Sequence, residues 1–153
     1  MSYEIEIKEI PDHLVASVRR RASIANVGKE VPEAFHELME AVGPVGYGDG
    51  MPGVVYRGEV GPETEWDMEI FMPVAAPFDP PEGMTVEPLE GGRFASTIHR
   101  GPYEECGPAY EALTAWIGEQ GHQIVGPPRE LYLNDPNEVG QDEALTEILF
   151  PVR

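Results

Sequence analysis

The chain carries the same short pattern twice, at its middle and at its end. Residues 69–74 (EIFMPV) recur as residues 147–152 (EILFPV), which is a shift of 78 positions (147 minus 69). Further landmarks repeat at similar shifts: Ala16-Ser17 with Ala95-Ser96, Ala34-Phe35 with Ala109-Tyr110, Leu38 with Leu113, and Tyr56 with Tyr132. Small changes in the shift are what insertions and deletions in loops produce. Two copies indicate a duplicated unit rather than a solenoid, so we expect one domain over residues 1–153 with repeats at about 1–75 and 84–153.

Both repeats predict the same order of elements. The first predicts strands at 3–9, 14–19, 54–57 and 66–72 and, from apolar residues at helical spacing, a helix from Pro32 to Gly43. The second predicts strands at 85–89, 94–99, 130–133 and 144–150 and a helix at 108–120. We therefore expect an α+β fold of duplicated strand-helix-strand-strand modules, with about eight mainly antiparallel strands and two main helices.

Composition narrows the class of protein. With 153 residues, of which 41% are hydrophobic, the chain is long enough for one domain with a core. Its formal net charge of -18 repels nucleic acids and anionic membranes, so we expect no direct nucleic-acid binding. No stretch reaches the roughly 20 apolar residues of a membrane span, and residues 1–10 lack the apolar segment of a signal peptide. A cytoplasmic location is the expectation.

The sequence contains no recognisable metal or cofactor motif. The single Cys106 excludes a multi-cysteine metal site, and the four histidines include no pair at metal-ligand spacing. Residues 48–53 satisfy G-x-G-x-x-G, but this pattern follows a predicted helix and precedes a predicted strand, which reverses the dinucleotide-binding order. We expect neither a metal nor a cofactor.

Several motifs together resemble the gyrase-inhibitory-protein-like family. They are residues 99–103 (HRGPY), Tyr110, Leu113 and Trp116 in the following helix, residues 130–132 (ELY) and residues 146–152 (TEILFPV). The family, which includes the effector-binding domains of bacterial multidrug-responsive transcription activators, implies pseudo-twofold symmetry and a ligand cleft between the two modules. It also implies an acidic residue among aromatic side chains that meets lipophilic cations, and Glu130 falls on that position. Because no helix-turn-helix precedes the first strand, we expect a stand-alone domain rather than a complete transcription factor.

The functional expectation depends on Glu130. Residues i and i+2 of a strand share a face, so Glu130 and Tyr132 point the same way, and a buried carboxylate needs a partner. At a repeat shift of 76 (132 minus 56), the mate of Glu130 is the apolar Val54. The predicted ligand-binding residues are Glu130, Tyr132, Tyr103, Trp66, Tyr56 and Met68. Tyr110 and Trp116 lie on the second helix, whose apolar stripe leads us to expect that they pack there, and His99 is expected to stabilise its turn.

Three functions are compatible with the resemblance. The first is binding of a small hydrophobic or cationic organic molecule, either a xenobiotic or an effector. The second is hydrolysis of cyclopropane-bearing or electrophilic toxins, as in similar relatives, with Glu130 and Tyr103 as the catalytic residues. The third is inhibition of gyrase through protein contact. The sequence does not identify any other protein partner.

Overall fold

The computed structural model describes residues 3–23, 25–57, 65–102, 105–134 and 136–153. The elements are β1 (Ile5–Ile10), β2 (His13–Ala22), α1 (Val27–Val42), β3 (Gly53–Tyr56), β4 (Trp66–Pro73), β5 (Met84–Leu89), β6 (Gly92–Arg100), α2 (Gly107–Glu119), β7 (Arg129–Tyr132), the short helix α3 (Pro136–Val139) and β8 (Leu145–Pro151). The strand pairings β1–β6, β6–β8, β7–β8, β2–β4, β2–β5 and β3–β4 are all antiparallel. The predicted α+β fold of eight strands and two main helices is confirmed.

The chain forms two compact units, and neither coincides with one repeat. The C-terminal unit comprises Met1–Ile10 and Gly91–Arg153, and the N-terminal unit comprises Pro11–Glu90. The first strand of each repeat therefore belongs to the unit that holds the rest of the other repeat. Strand β1 pairs with β6, and β5 pairs with β2. The interpretation of residues 1–153 as one domain built from two repeats stays a prediction.

The two units have the same strand order. The sheet of the C-terminal unit runs β1-β6-β8-β7. The sheet of the N-terminal unit runs β5-β2-β4-β3. Strands that correspond in the two repeats thus occupy the same places, and the repeat in the sequence has a counterpart in the topology of the sheets.

Each sheet packs against one helix. In the C-terminal unit, Leu113 and Ile117 of α2 pack on Ala95, Ile148 and Phe150 of the sheet. In the N-terminal unit, α1 buries one residue in every turn or so, namely Ala34, Leu38 and Val42. Full burial of a leucine or isoleucine side chain contributes about 1.5–3 kcal/mol. These apolar contacts hold each helix on its sheet.

Helix α1 begins earlier than predicted. It starts at Val27, so Pro32 lies inside the helix and not at its first position. The backbone of Glu30 already donates to the Asn26 carbonyl at 3.1 Å, which shows a formed helical turn before Pro32. Proline has no N–H to donate to the Gly28 carbonyl, and this single lost bond near the helix start is tolerated because Pro32 is exposed.

The glycine-rich segment before β3 has a structural explanation. The backbone N–H of Gly48 donates to the Pro73 carbonyl at 3.1 Å. A Cβ atom at Gly48 would lie 2.5 Å from the Val74 carbonyl oxygen, so only glycine permits this approach of the two backbones. The segment therefore packs on the end of β4.

A polar stripe crosses the face of each sheet that lies away from the helix. In the C-terminal unit, Ser96 and Lys8 both donate to Oε2 of Glu147, each at 2.6 Å. In the N-terminal unit, Ser17 donates to Glu69 at 3.0 Å. The serines are repeat mates (96 minus 17 is 79), and so are the glutamates (147 minus 69 is 78). The stripe joins β1 to β8 across β6.

The stripe perturbs the pKa of two groups. The hydrogen bond from Lys8 to Glu147 holds the pKa of Lys8 above its ordinary value, against the effect of burial. Burial acts to raise the pKa of Glu69, but hydrogen bonds from Arg57 and Ser17 outweigh it and hold that pKa below its ordinary value. Arg57 reaches Oε1 of Glu69 through Nη2 at 2.6 Å and Nε at 3.1 Å.

We expect Glu69 to contribute to acid denaturation. Because its pKa is lowered by folding, its stabilisation is complete above the ordinary value of 4.5 and is lost as the pH falls through the folded value. In urea denaturation at a series of pH values, wild type should be more stable than Glu69→Gln at neutral pH, and the two should converge as the pH falls. The exposed Glu87 provides the control, since Glu87→Gln should follow wild type throughout. A difference between Glu69→Gln and wild type that is constant with pH would contradict the expectation.

Candidate functional site

Strand β7 presents Glu130 and Tyr132 to the α2 side of the sheet. Residues that lie directly opposite in antiparallel strands share a face. Glu130 lies opposite Ile148, and Tyr132 lies opposite Thr146. Since Ile148 packs against α2, the carboxylate and the phenol are on the same side as that helix. The predicted shared face of Glu130 and Tyr132 is therefore present in the structure.

The carboxylate of Glu130 is buried and accepts hydrogen bonds from two phenols. Only 8% of the residue is exposed. The Tyr132 hydroxyl donates to Oε1 at 3.1 Å, and the Tyr110 hydroxyl donates to Oε2 in a short contact. Hydrogen bonds to an ionised acceptor are roughly twice as strong as those between neutral groups. The two phenols therefore offset part of the desolvation of the carboxylate.

Tyr110 was not predicted as a site residue. The expectation that it packs on the helix face is confirmed, because its ring meets Phe150 edge to face with centroids 6.0 Å apart. Its hydroxyl extends beyond that packing to Glu130. A signal was available in the repeat, because Phe35 is the mate of Tyr110 and Val54 is the mate of Glu130. Two neighbouring positions that both gain a polar group in the same repeat indicate a polar pair.

Three of the predicted ligand-binding residues belong to the N-terminal unit. Tyr56 and Trp66 meet edge to face with ring centroids 6.3 Å apart, and Tyr56 lies opposite Met68 in the β3–β4 pair. Met68 is fully buried in the core of that unit. Contact of these three residues with a ligand stays a prediction. Tyr103 lies outside the described residues.

The remaining candidates have structural roles. His99 is 4% exposed, and its Nε2 donates to the Pro102 carbonyl at 3.0 Å, which confirms that it stabilises its turn. Trp116 packs against the α2 core, as expected, and its ring stacks on His122 with centroids 6.1 Å apart. In the described part of the chain, no three histidine, cysteine, aspartate or glutamate side chains are grouped as metal ligands. No described helix combines the length and apolar composition that crossing a membrane requires.

The sequence matches a family model over nearly its whole length. The model is the GyrI-like small molecule binding domain, and it matches residues 3–153. The chain belongs to the GyrI-like family. The resemblance inferred from the sequence motifs is confirmed, and the chain is a small-molecule binding domain of this family. No match was found among curated proteins.

Solved structures of GyrI-like proteins share the fold. The crystal structure of the EcmrR C-terminal domain aligns with a TM-score of 0.88 and 26% identity, over 100% of this chain and 99% of that domain. In the EcmrR–DNA complex the identity is 25% and the TM-score is 0.88, and the chain covers only 57% of the length of EcmrR.

Two more distant structures share the fold alone. A hydrolase encoded by lin2189 from Listeria innocua aligns with a TM-score of 0.75 and 16% identity, over 98% of this chain and 92% of that one. SAV2435, solved bound to tetraphenylphosphonium, aligns with a TM-score of 0.68 and 14% identity, over 100% of this chain and 94% of that one.

We expect the Tyr110–Glu130 pair to show strong coupling in a double-mutant cycle. Tyr110→Phe removes a donor from a buried carboxylate and should lower the free energy of unfolding by about 1–3 kcal/mol. The double variant Tyr110→Phe/Glu130→Val carries the residues found at the mates, Phe35 and Val54. It should recover part of this loss, because neither the Tyr110 donor nor the buried carboxylate remains. The Tyr132 hydroxyl loses its acceptor in the double variant, so recovery is not complete.

Urea denaturation of the four proteins measures the coupling. Tyr47→Phe is the control, because Tyr47 is 55% exposed and its hydroxyl should contribute little. Additive effects of the two substitutions at Tyr110 and Glu130 would show that the hydrogen bond does not stabilise the fold.

Proposed function

We propose that the domain binds lipophilic organic cations, with the Glu130 carboxylate as their counterion. The observation that carries this proposal is the enclosure of Glu130 on the apolar α2 side of the sheet, where two phenols contact it. Burial of a carboxylate costs free energy. If position 130 served packing alone, an apolar residue would suffice there, as Val54 does at the corresponding position of the first repeat.

The surroundings of the carboxylate suit a cation with a large apolar surface. Tyr110, Tyr132 and Phe150 are aromatic, and a cation over an aromatic ring gains about 0.5–2 kcal/mol. SAV2435 shares the fold and binds tetraphenylphosphonium, which is such a cation.

Binding of tetraphenylphosphonium by isothermal titration calorimetry tests the role of Glu130. We expect Glu130→Gln to weaken binding by about 5- to 150-fold, because the neutral amide loses a charge-assisted contact of about 1–3 kcal/mol. Tetraphenylborate has nearly the same shape and the opposite charge, so it should bind wild type far more weakly.

A control variant distinguishes the effect of the Glu130 carboxylate from the effect of the net negative charge of the chain. Glu119→Gln changes the net charge by the same amount at an exposed position at the end of α2, and its affinity should match that of wild type. Equal affinity of wild type and Glu130→Gln for tetraphenylphosphonium would show that the carboxylate does not contribute to binding.

Hydrolysis of strained toxins is the second candidate, and the contact between the Tyr110 phenol and Glu130 favours it. The pair joins a proton acceptor to a proton donor. Glu130 would take a proton from water as the water oxygen bonds to one ring carbon. A phenol would give a proton to the ring carbon that leaves, and the Tyr110–Glu130 hydrogen bond would return the proton. General acid–base catalysis of this kind typically accelerates a reaction by about 10²–10⁴-fold.

Turnover of a cyclopropane-bearing alkylator tests this second candidate. Mass spectrometry should detect a product heavier by one water, formed faster with wild type than with Glu130→Gln or Tyr110→Phe. Formation at the uncatalysed rate in the presence of wild type would exclude the hydrolase and leave the binding proposal untouched.

A further inference from the structure

Three positions on the α2 side carry hydrogen-bonding groups where the N-terminal unit has apolar residues. The pairs of repeat mates are Val54 with Glu130, Phe35 with Tyr110, and Met68 with Thr146, at shifts of 76, 75 and 78. Glu130 and Tyr110 bind each other. The third position, Thr146, has no role in the site described so far.

The hydroxyl of Thr146 is buried and unpaired within the part of the chain that the structure describes. The residue is 0% exposed, and its Oγ1 has no hydrogen-bond partner there. Other buried serine and threonine hydroxyls are paired. Ser96 donates to Glu147, and Thr97 donates to the Glu4 carbonyl at 2.8 Å. An unpaired buried hydroxyl destabilises a fold, and Met68 shows that the corresponding strand position can be filled by an apolar side chain.

Thr146 lies beside the phenols of the site. It is directly opposite Tyr132 on β7 and directly opposite His99 on β6. Side chains opposite each other in antiparallel strands have Cβ atoms about 4.5–5.5 Å apart, and diagonal neighbours are about 7–8 Å apart. Glu130, opposite Ile148, is the diagonal neighbour of Thr146. The Nε2 atom of His99 donates to the Pro102 carbonyl.

One hydroxyl near Glu130 has no acceptor in the described part of the chain. Tyr110 and Tyr132 donate to the Glu130 carboxylate, whereas the Thr146 hydroxyl has no partner there. A threonine hydroxyl can donate to an acceptor that a ligand brings.

We propose that Thr146 is a specificity residue that donates a hydrogen bond to the bound ligand. This inference rests on the proposed function at Glu130. The ligand class it implies is an amphipathic organic cation that also carries an acceptor, such as a carbonyl oxygen, because Glu130 and Thr146 are diagonal neighbours about 7–8 Å apart in the sheet. A cation without an acceptor binds the same carboxylate but leaves Thr146 unpaired.

Two matched probes test the acceptor. One is triphenylphosphonium with a 4-acetylbenzyl arm, and the other has a 4-isopropylbenzyl arm of the same charge and similar size but no acceptor. Thr146→Val, which removes the hydroxyl at nearly constant shape, should weaken binding of the acetyl probe by about 5- to 30-fold, as expected for one hydrogen bond, and leave the isopropyl probe unchanged.

Stability of the free protein provides an independent measurement. Thr146→Val should leave the urea midpoint unchanged or raise it, because it removes an unpaired hydroxyl. Thr97→Val should lower the midpoint, because it removes a paired one. Weaker binding together with undiminished stability distinguishes a ligand contact from a structural residue.

Each other outcome overturns the inference in a recognisable way. A loss of stability in Thr146→Val comparable to that in Thr97→Val would show that the hydroxyl is structural. Equal effects of Thr146→Val on both probes, or none on either, would refute the hydrogen bond while binding that depends on Glu130 stands. Absence of binding of both probes to wild type, or binding that Glu130→Gln does not weaken, would overturn the proposed function and this inference with it.

Discussion

The buried carboxylate of Glu130 organises the α2 side of the C-terminal unit, because phenols from two elements converge on it. Tyr110 reaches it from α2, and Tyr132 reaches it from the same strand, β7. A carboxylate enclosed to this extent needs donors around it. The apolar contacts of Leu113 and Ile117 hold α2 on the sheet, and the Tyr110 bond adds a directional contact between α2 and β7.

Comparison of the two repeats distinguishes polar groups that belong to the common fold from those that are specific to one unit. A serine donates to a glutamate on the far side of both sheets, in Ser96–Glu147 and in Ser17–Glu69. A contact present in both units belongs to the common architecture, where it joins β6 to β8 in one unit and β2 to β4 in the other. The hydrogen bond to Glu130 occurs in one unit only, since its counterpart position is Val54. A polar group without a counterpart in the other repeat is the better candidate for function.

The elements could be predicted from the sequence more closely than their pairing. The strand predicted at 130–133 is Arg129–Tyr132, and the helix predicted at 108–120 is Gly107–Glu119, because periodicity is a local property of the sequence. The exchange of β1 into the C-terminal unit could not be predicted, since an alternating strand can pair with any partner of suitable pattern. The role of the Tyr110 hydroxyl was missed for a related reason. Helical spacing predicts which side of the helix a residue lies on, but not which group its terminal atom contacts.

Charge alone does not complete the site around Glu130. The net charge of -18 attracts any cation over a long range and so provides no selection among cations. Selection requires short-range contacts that some ligands make and others do not. Aromatic rings favour large apolar surfaces but accept many shapes. The hydroxyls of Tyr132 and Thr146 are directional, and the two residues lie directly opposite each other on β7 and β8. Under the proposed function, they are therefore the groups that would distinguish one lipophilic cation from another.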